Sequence, residues 1–199
     1  KFRQKLIEEC YADPLVGEAV KQYCRDDILF FINAFCWVYE PRSRDVIPFI
    51  TWDFQDGTII DILNNLGEKD VLLEKSRDMG ASWMVLTIFF WQWCFHPYSA
   101  MGLVSRTEDA VDKSDDPDTL MWKLDFHFKN LPSFLQPSLQ KNDRSSLKFK
   151  QPENESTIVG YSATGDVARG GRKLAFMMDE LAAFKSDDGY AAYASTQHV

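Results

Sequence analysis

Apolar residues along this chain follow two rhythms. Up to about residue 66 they recur at helical spacing, giving helices over 2–12, 15–24 and 26–38, the first two separated by the turn-forming pair Asp13 and Pro14. In 26–38 the apolar positions Ile28, Leu29, Phe30, Phe31, Ile32, Phe35, Cys36 and Trp37 cover most of the helix surface, which predicts packing on two faces. Pro41 and Pro48 bracket a loop leading into 49–51, and Ile59, Ile60, Ile62 and Leu63 mark an amphipathic helix that stops near Gly67. Beyond that point short apolar runs alternate with helices. Residues 71–73 read as a buried parallel strand, 82–95 as a helix apolar nearly all round, 98–104 as a second strand, and 118–130 as a helix with Asp118 as N-cap. Residues 146–150 and 157–161 read as a strand pair, the first alternating as an edge strand does, and 174–178 as a final buried strand. The pattern predicts a doubly wound α/β sheet, with residues 1–50 as a helical segment packed on a core formed by 51–199.

Composition narrows the class. The chain has 199 residues, 45% hydrophobic and 26% charged, which is the balance of a folded domain. A net charge of −8 argues against passive coating of nucleic acid and leaves room for a local basic patch. Cys10, Cys24, Cys36 and Cys94 lack metal-ligand spacing and read as reduced, buried thiols. The apolar run 84–95 is too short for a bilayer, so no membrane role is expected. A start on Lys1 and an end on Val199 suggest a piece of a longer protein.

The chemistry centres on 71–83, VLLEKSRDMGASW: strand, loop, helix start. On the phosphate-loop template G-x-x-x-x-G-K-[ST], Gly80 takes the second glycine position and Ser82 the hydroxyl position. Lys75 falls on the first glycine position and Ala81 on the lysine position. The missing cation has two replacements within the loop, Lys75 and Arg77. Far downstream, four apolar residues lead into Asp179 and Glu180; in a phosphate-loop enzyme the first such acid supports Mg²⁺ and the second polarises the attacking water. Acids are also ordinary at strand ends, so it is the order of the two elements that makes the combination specific. Gln55, with Phe54 beside it, offers an amide to an adenine edge and a ring to stack. Arg169 and Arg172 flank two glycines, a basic tip suited to sensing phosphate; Ser105 and Arg106 follow the second strand and suit nucleic-acid phosphate. Two other signals fail. Residues 112–123 place acids as a calcium loop does, but Pro117 and Lys123 stand where glycine and glutamate are required. His96, His127 and His198 share no spacing with a nucleophile.

Taken together, Phe54 and Gln55, the K-S-R-x-x-G-x-S loop of 75–82, Ser105 and Arg106, the loop 163–172 and the run Met178, Asp179, Glu180 resemble the ATPase domain of phage terminase large subunits. The stretches IPFITWDFQ and VSRTEDAVDK are similar as well. The resemblance runs from about Asp26 onward. It implies a RecA-like P-loop domain with a mostly parallel sheet, using ATP and Mg²⁺ to move double-stranded DNA into a procapsid in the host cytoplasm. It implies that Gln55 reads adenine, that Lys75, Gly80 and Ser82 hold phosphate and Mg²⁺, and that Ser76, Arg77, Met79, Ala81 and Trp83 complete the nucleotide loop. It further implies that Asp179 supports the metal, that Glu180 activates water, and that Arg169, or else Arg172, reaches a neighbouring subunit's ATP in a homo-oligomeric ring. Portal protein and small terminase subunit are the implied partners, and the isolated domain is expected to be monomeric. The family's coupling motif and nuclease domain are expected beyond Val199. Two rival expectations are a helicase-type DNA-dependent ATPase and a degenerate nucleotide-binding assembly module without hydrolysis.

Overall fold

A computed structural model describes residues 1–76, 78–163, 172–184 and 186–196. Three helices open the chain: α1 (Phe2–Ala12), α2 (Pro14–Asp26) and α3 (Ile28–Phe35). Two aspartates cut them apart. The Asp13 carboxylate accepts from the Leu15 N–H at 2.9 Å, with Pro14 at the first helical position, and Asp27 accepts from the Phe30 N–H at 3.0 Å. The helix expected over 26–38 therefore starts after a cap at Asp27 and stops at Phe35. Trp37–Glu40 (β1) turns back through Pro41 and pairs antiparallel with Asp45–Pro48 (β2), where a helix end and a loop were expected. Trp37, Val38 and Tyr39 are strand formers by shape, and Pro41 prevents any helix from continuing.

Arg3 fastens this segment. Its guanidinium donates to the carbonyls of Asn33 (2.8 Å), Cys36 (2.6 Å), Ile32 (3.1 Å) and Phe49 (3.0 Å), and lies 5.2 Å from the Trp37 ring centroid. A cation at the C-terminal end of α3 satisfies carbonyls that the helix leaves unpaired and opposes the negative end of its dipole.

The remaining elements are α4 (Asp53–Asn65), α5 (Ala81–Phe95), β3 (Ala100–Ser105), α6 (Glu108–Val111), α7 (Leu120–Asn130), β4 (Arg144–Ser145), β5 (Lys148–Gln151), β6 (Ser156–Ser162), β7 (Ala175–Met178), a single 3₁₀ turn (Leu181–Ala183) and α8 (Ser186–Thr196). The larger sheet has the order β4-β5-β6-β3-β7. Its β6, β3 and β7 are parallel, while β4 and β5 join antiparallel, so the protein is α/β with a mixed five-stranded sheet flanked by helices. The core is continuous from α2 and α3 through α5 to β3, β5 and β6. As its sequence demands, α5 is covered on every side, packing against α3, α4, α7 and β6. All four cysteines are buried and unpaired. Among the described residues no helix is long and apolar enough to cross a membrane.

Three further expectations change. Residues 71–73 form no strand: Leu72 is 86% exposed, and the described residues supply no neighbour to satisfy its backbone. The final strand, β7, is half-buried rather than buried, because among the described residues it is the sheet's edge and pairs with β3 alone. The N-cap of α7 is Thr119, not Asp118, since Thr119 still donates its own N–H to the Asp116 carbonyl at 3.1 Å and the helix begins one residue later. The acids of the 112–125 stretch that touch Arg144 hold it in place: Asp112 and Asp125 both bind its guanidinium, at 2.9 and 2.8 Å.

Beneath α5, His127 is 2% exposed and lies 2.9 Å from the Thr87 hydroxyl. That hydroxyl gives its only hydrogen to the Trp83 carbonyl at 2.7 Å, so His127 Nε2 carries the proton and donates it. Its Nδ1 has no partner among the described residues. Burial pushes His127 down to about 3 from 6.5. In the unfolded chain His127 takes up a proton near pH 6.5 that the folded protein refuses, so its contribution to stability is complete above that value and declines as pH falls toward 3. Between pH 7 and pH 5 the loss from this group should be about 2 kcal/mol. Urea unfolding at the two pH values should show that loss shrinking in His127→Gln; an unchanged difference would place the acid sensitivity elsewhere.

Candidate functional site

Ser82 and Asp179 meet. The hydroxyl, one residue into α5, donates to the carboxylate at the end of β7 at 3.0 Å. Asp179 is held there by its N–H, which donates to the Val104 carbonyl of β3 at 2.9 Å. The contact therefore joins the N-terminus of the buried helix to the carboxyl ends of two parallel strands, the end of an α/β sheet where ligands bind.

The turn into α5 is set by Gly80, which caps the helix with φ 71° and whose carbonyl accepts from the Met84 N–H at 2.9 Å. A Cβ at Gly80 would be strained in this left-handed conformation and would stand 3.2 Å from the Gln55 amide nitrogen. Asp78, with φ 64°, makes the second left-handed step of the loop, and its carboxylate pairs with Arg42 from the turn between β1 and β2. Gln55 is 4% exposed. Its Oε1 accepts from the Trp52 N–H and its Nε2 donates to the Met79 carbonyl, both at 3.1 Å. One side chain thus ties the start of α4 to the loop before α5. Each end of the amide keeps one further hydrogen-bonding position. Beside it Trp52 and Phe54 are about half exposed, with ring centroids 5.4 Å apart.

The other expected residues sort clearly. Lys75 and Ser76 lie exposed on the irregular segment before the loop, while Met79 and Ala81 are half-buried. Trp83 is half-buried edge-on to His127 and Phe126. Glu180 follows Asp179 directly, exposed and at φ 53°, its carbonyl accepting from the Ala183 N–H at 2.7 Å. The structure thus brings together Gln55, Met79, Gly80, Ser82 and Asp179, with Glu180 adjacent. Ser105 is buried, its carbonyl accepting from the Ala163 N–H at 2.8 Å, and Arg106 and Arg172 are exposed. Arg77 and Arg169 lie outside the described residues.

Sequence reasoning missed Lys123, which places its Nζ 6.0 Å from the centroid of the Trp83 ring. The only signal was a lysine in the first turn of a helix, where the dipole disfavours it.

Among the described residues no group of three or more His, Cys, Asp or Glu could hold a metal ion. One hydroxyl and one carboxylate nevertheless fit Mg²⁺, which keeps several waters and takes its other oxygens from substrate phosphate. Backbone N–H groups at the start of α5 suit the same anion. In comparison with known proteins, no family model and no curated sequence matches the chain.

The left-handed turn yields a prediction. Gly80→Ala should lower the unfolding free energy by about 1–2 kcal/mol, read by chemical denaturation, because alanine resists this conformation and crowds Gln55. No loss of stability would mean the loop relaxes to another turn.

Proposed function

We propose that the protein is a RecA-like P-loop ATPase, the ATPase domain of a phage terminase large subunit, working on double-stranded DNA in the host cytoplasm. The observation that carries the reading is the Ser82–Asp179 hydrogen bond at 3.0 Å, formed where Gly80 turns the chain into α5. A hydroxyl after a left-handed glycine, touching the acid at the end of a parallel strand, is what a triphosphate with Mg²⁺ requires.

In this reading Ser82 and Asp179 hold the Mg²⁺, which when bound neutralises charge on the phosphates. The amides opening α5 bind phosphate oxygens, with Lys75 and Arg77 supplying charge from the loop. Gln55 positions the loop through Met79 and offers its spare amide positions to adenine, with Trp52 and Phe54 as the stacking surface. Glu180 accepts the proton of the attacking water. Arg169, or Arg172, completes the site of a neighbouring copy in a ring, and portal protein and small terminase subunit are the partners of that assembly.

Glu180→Gln should leave ATP binding within about threefold while hydrolysis by the DNA-stimulated protein falls by about a hundredfold or more. Turnover equal to wild type would remove Glu180 from the role of base.

A second reading is favoured by the absence of a strand over 71–73 and of a lysine at Ala81: a nucleotide-binding assembly module without hydrolysis. Lys75→Ala separates the two. The ATPase reading expects ATP affinity, measured by calorimetry, to fall about tenfold. Unaltered affinity together with no measurable turnover supports the module.

A further inference from the structure

We propose that Lys123 is a second phosphate-binding cation of this site, reaching it from α7 and standing in for the lysine that Ala81 displaces. The inference rests on reading the site as one for a nucleoside triphosphate, and it adds a residue from outside the loop. Lys123 is placed where helix stability alone would not put it. It belongs to the first turn of α7, where the positive end of the dipole repels an ammonium and a carboxylate would be favoured. Nor is it a solvated surface lysine. Its side chain is half-buried, with Nζ donating to the carbonyls of Asp118 at 2.7 Å and Thr119 at 3.3 Å. Among the described residues no carboxylate forms an ion pair with it. Two of its three N–H groups are accounted for by those carbonyls, leaving one to donate elsewhere.

What surrounds the ammonium points to an anion. It lies over Trp83, the residue after Ser82, and thus beside the first turn of α5. The N-terminus of α7 has no side-chain cap, and neither has that of α5. Lys123 thus stands beside the uncapped first turn of α5, close enough to the Ser82–Asp179 pair for the Asp179 carboxylate to act on its charge. Burial pushes the Lys123 ammonium below its ordinary range, and Asp118, Asp179 and Asp116 pull it back. A partly dehydrated cation bound directly only to carbonyls gains from a contacting negative charge. A polyphosphate end seated on Ser82 supplies that charge. Lys75, by contrast, is exposed on a segment without regular structure.

The position predicts a signature that mere structural support would not produce. Ser82 and Asp179 mark the metal-bound, terminal end of the phosphates, so Lys123 should act on ATP more than on ADP. Calorimetric titration of the whole chain with ATP and with ADP, each with Mg²⁺, should show Lys123→Met weakening ATP by about tenfold or more and ADP by less than about threefold. Lys123→Arg, which keeps the charge, should stay within about threefold of wild type for both. Should Lys123→Met lose cooperative thermal unfolding, Lys123→Gln, which can still donate to the two carbonyls, takes its place with the same expectation. Equal weakening of ATP and ADP would make Lys123 a structural brace and overturn the proposal. ATP binding that depends on Lys75 but not on Lys123 would overturn it while sparing the reading of the site. A wild-type protein that binds neither nucleotide would overturn both.

Discussion

A helix with no polar face cannot lie on a surface. Helix α5 carries Met84, Leu86, Ile88, Phe89, Phe90, Trp91 and Trp93 in succession, all buried, and the sheet, α3, α4 and α7 are arranged so that none of its sides meets water. Two polar side chains of this helix have defined partners: Thr87 bonds the Trp83 carbonyl and His127, and Trp91 donates to the Cys24 carbonyl at 2.6 Å, while the buried Trp93 indole N–H has none among the described residues. The one part of α5 left free to do chemistry is its first turn, and Gly80 and Ser82 stand there. Fold and candidate site therefore have a common origin in the burial of this helix.

Much of this was legible from the chain because the signals are local. The length and apolar character of 82–95, the β-branched and apolar run at β3, the pairing of β5 with β6, and the apolar strand ending at Asp179 are all patterns within a few residues. Where the reading failed, distant partners decide. Whether 71–73 is a strand depends on a neighbour that its own residues cannot announce. Trp37 and Val38 were read as helix because their apolar spacing continued that of α3; the hairpin that claims them depends on Asp45–Pro48. Lys123 was invisible for a related reason, since its placement against Trp83 is a product of how α7 crosses α5. At Gln55 the residue was identified, but its hold on Met79 and Trp52 appears only in three dimensions.

The electrostatics are likewise local. A chain of net charge −8 carries a small region where Lys123 lies beside the uncapped start of α5, whose Ser82 donates to Asp179. Elsewhere some of the acids are answered nearby: Asp112 and Asp125 by Arg144, Asp116 by Lys113 and Asp78 by Arg42. The exposed pairs among these contribute little to stability. The Arg42–Asp78 pair has another effect, tying the β1–β2 turn to the same loop that Gln55 holds from α4.

Strand β7 ends at the site and, among the described residues, is also the margin of the sheet. Its hydrogen bonds to β3 satisfy one row of peptide groups; the described residues leave the other row, along Ala175–Met178, without a partner strand. Such a row can pair with a further strand, from this chain or another. The few residues that deliver Asp179 to Ser82 therefore also present the described edge of the sheet, so that whatever extends the sheet there is seated directly beside the candidate site.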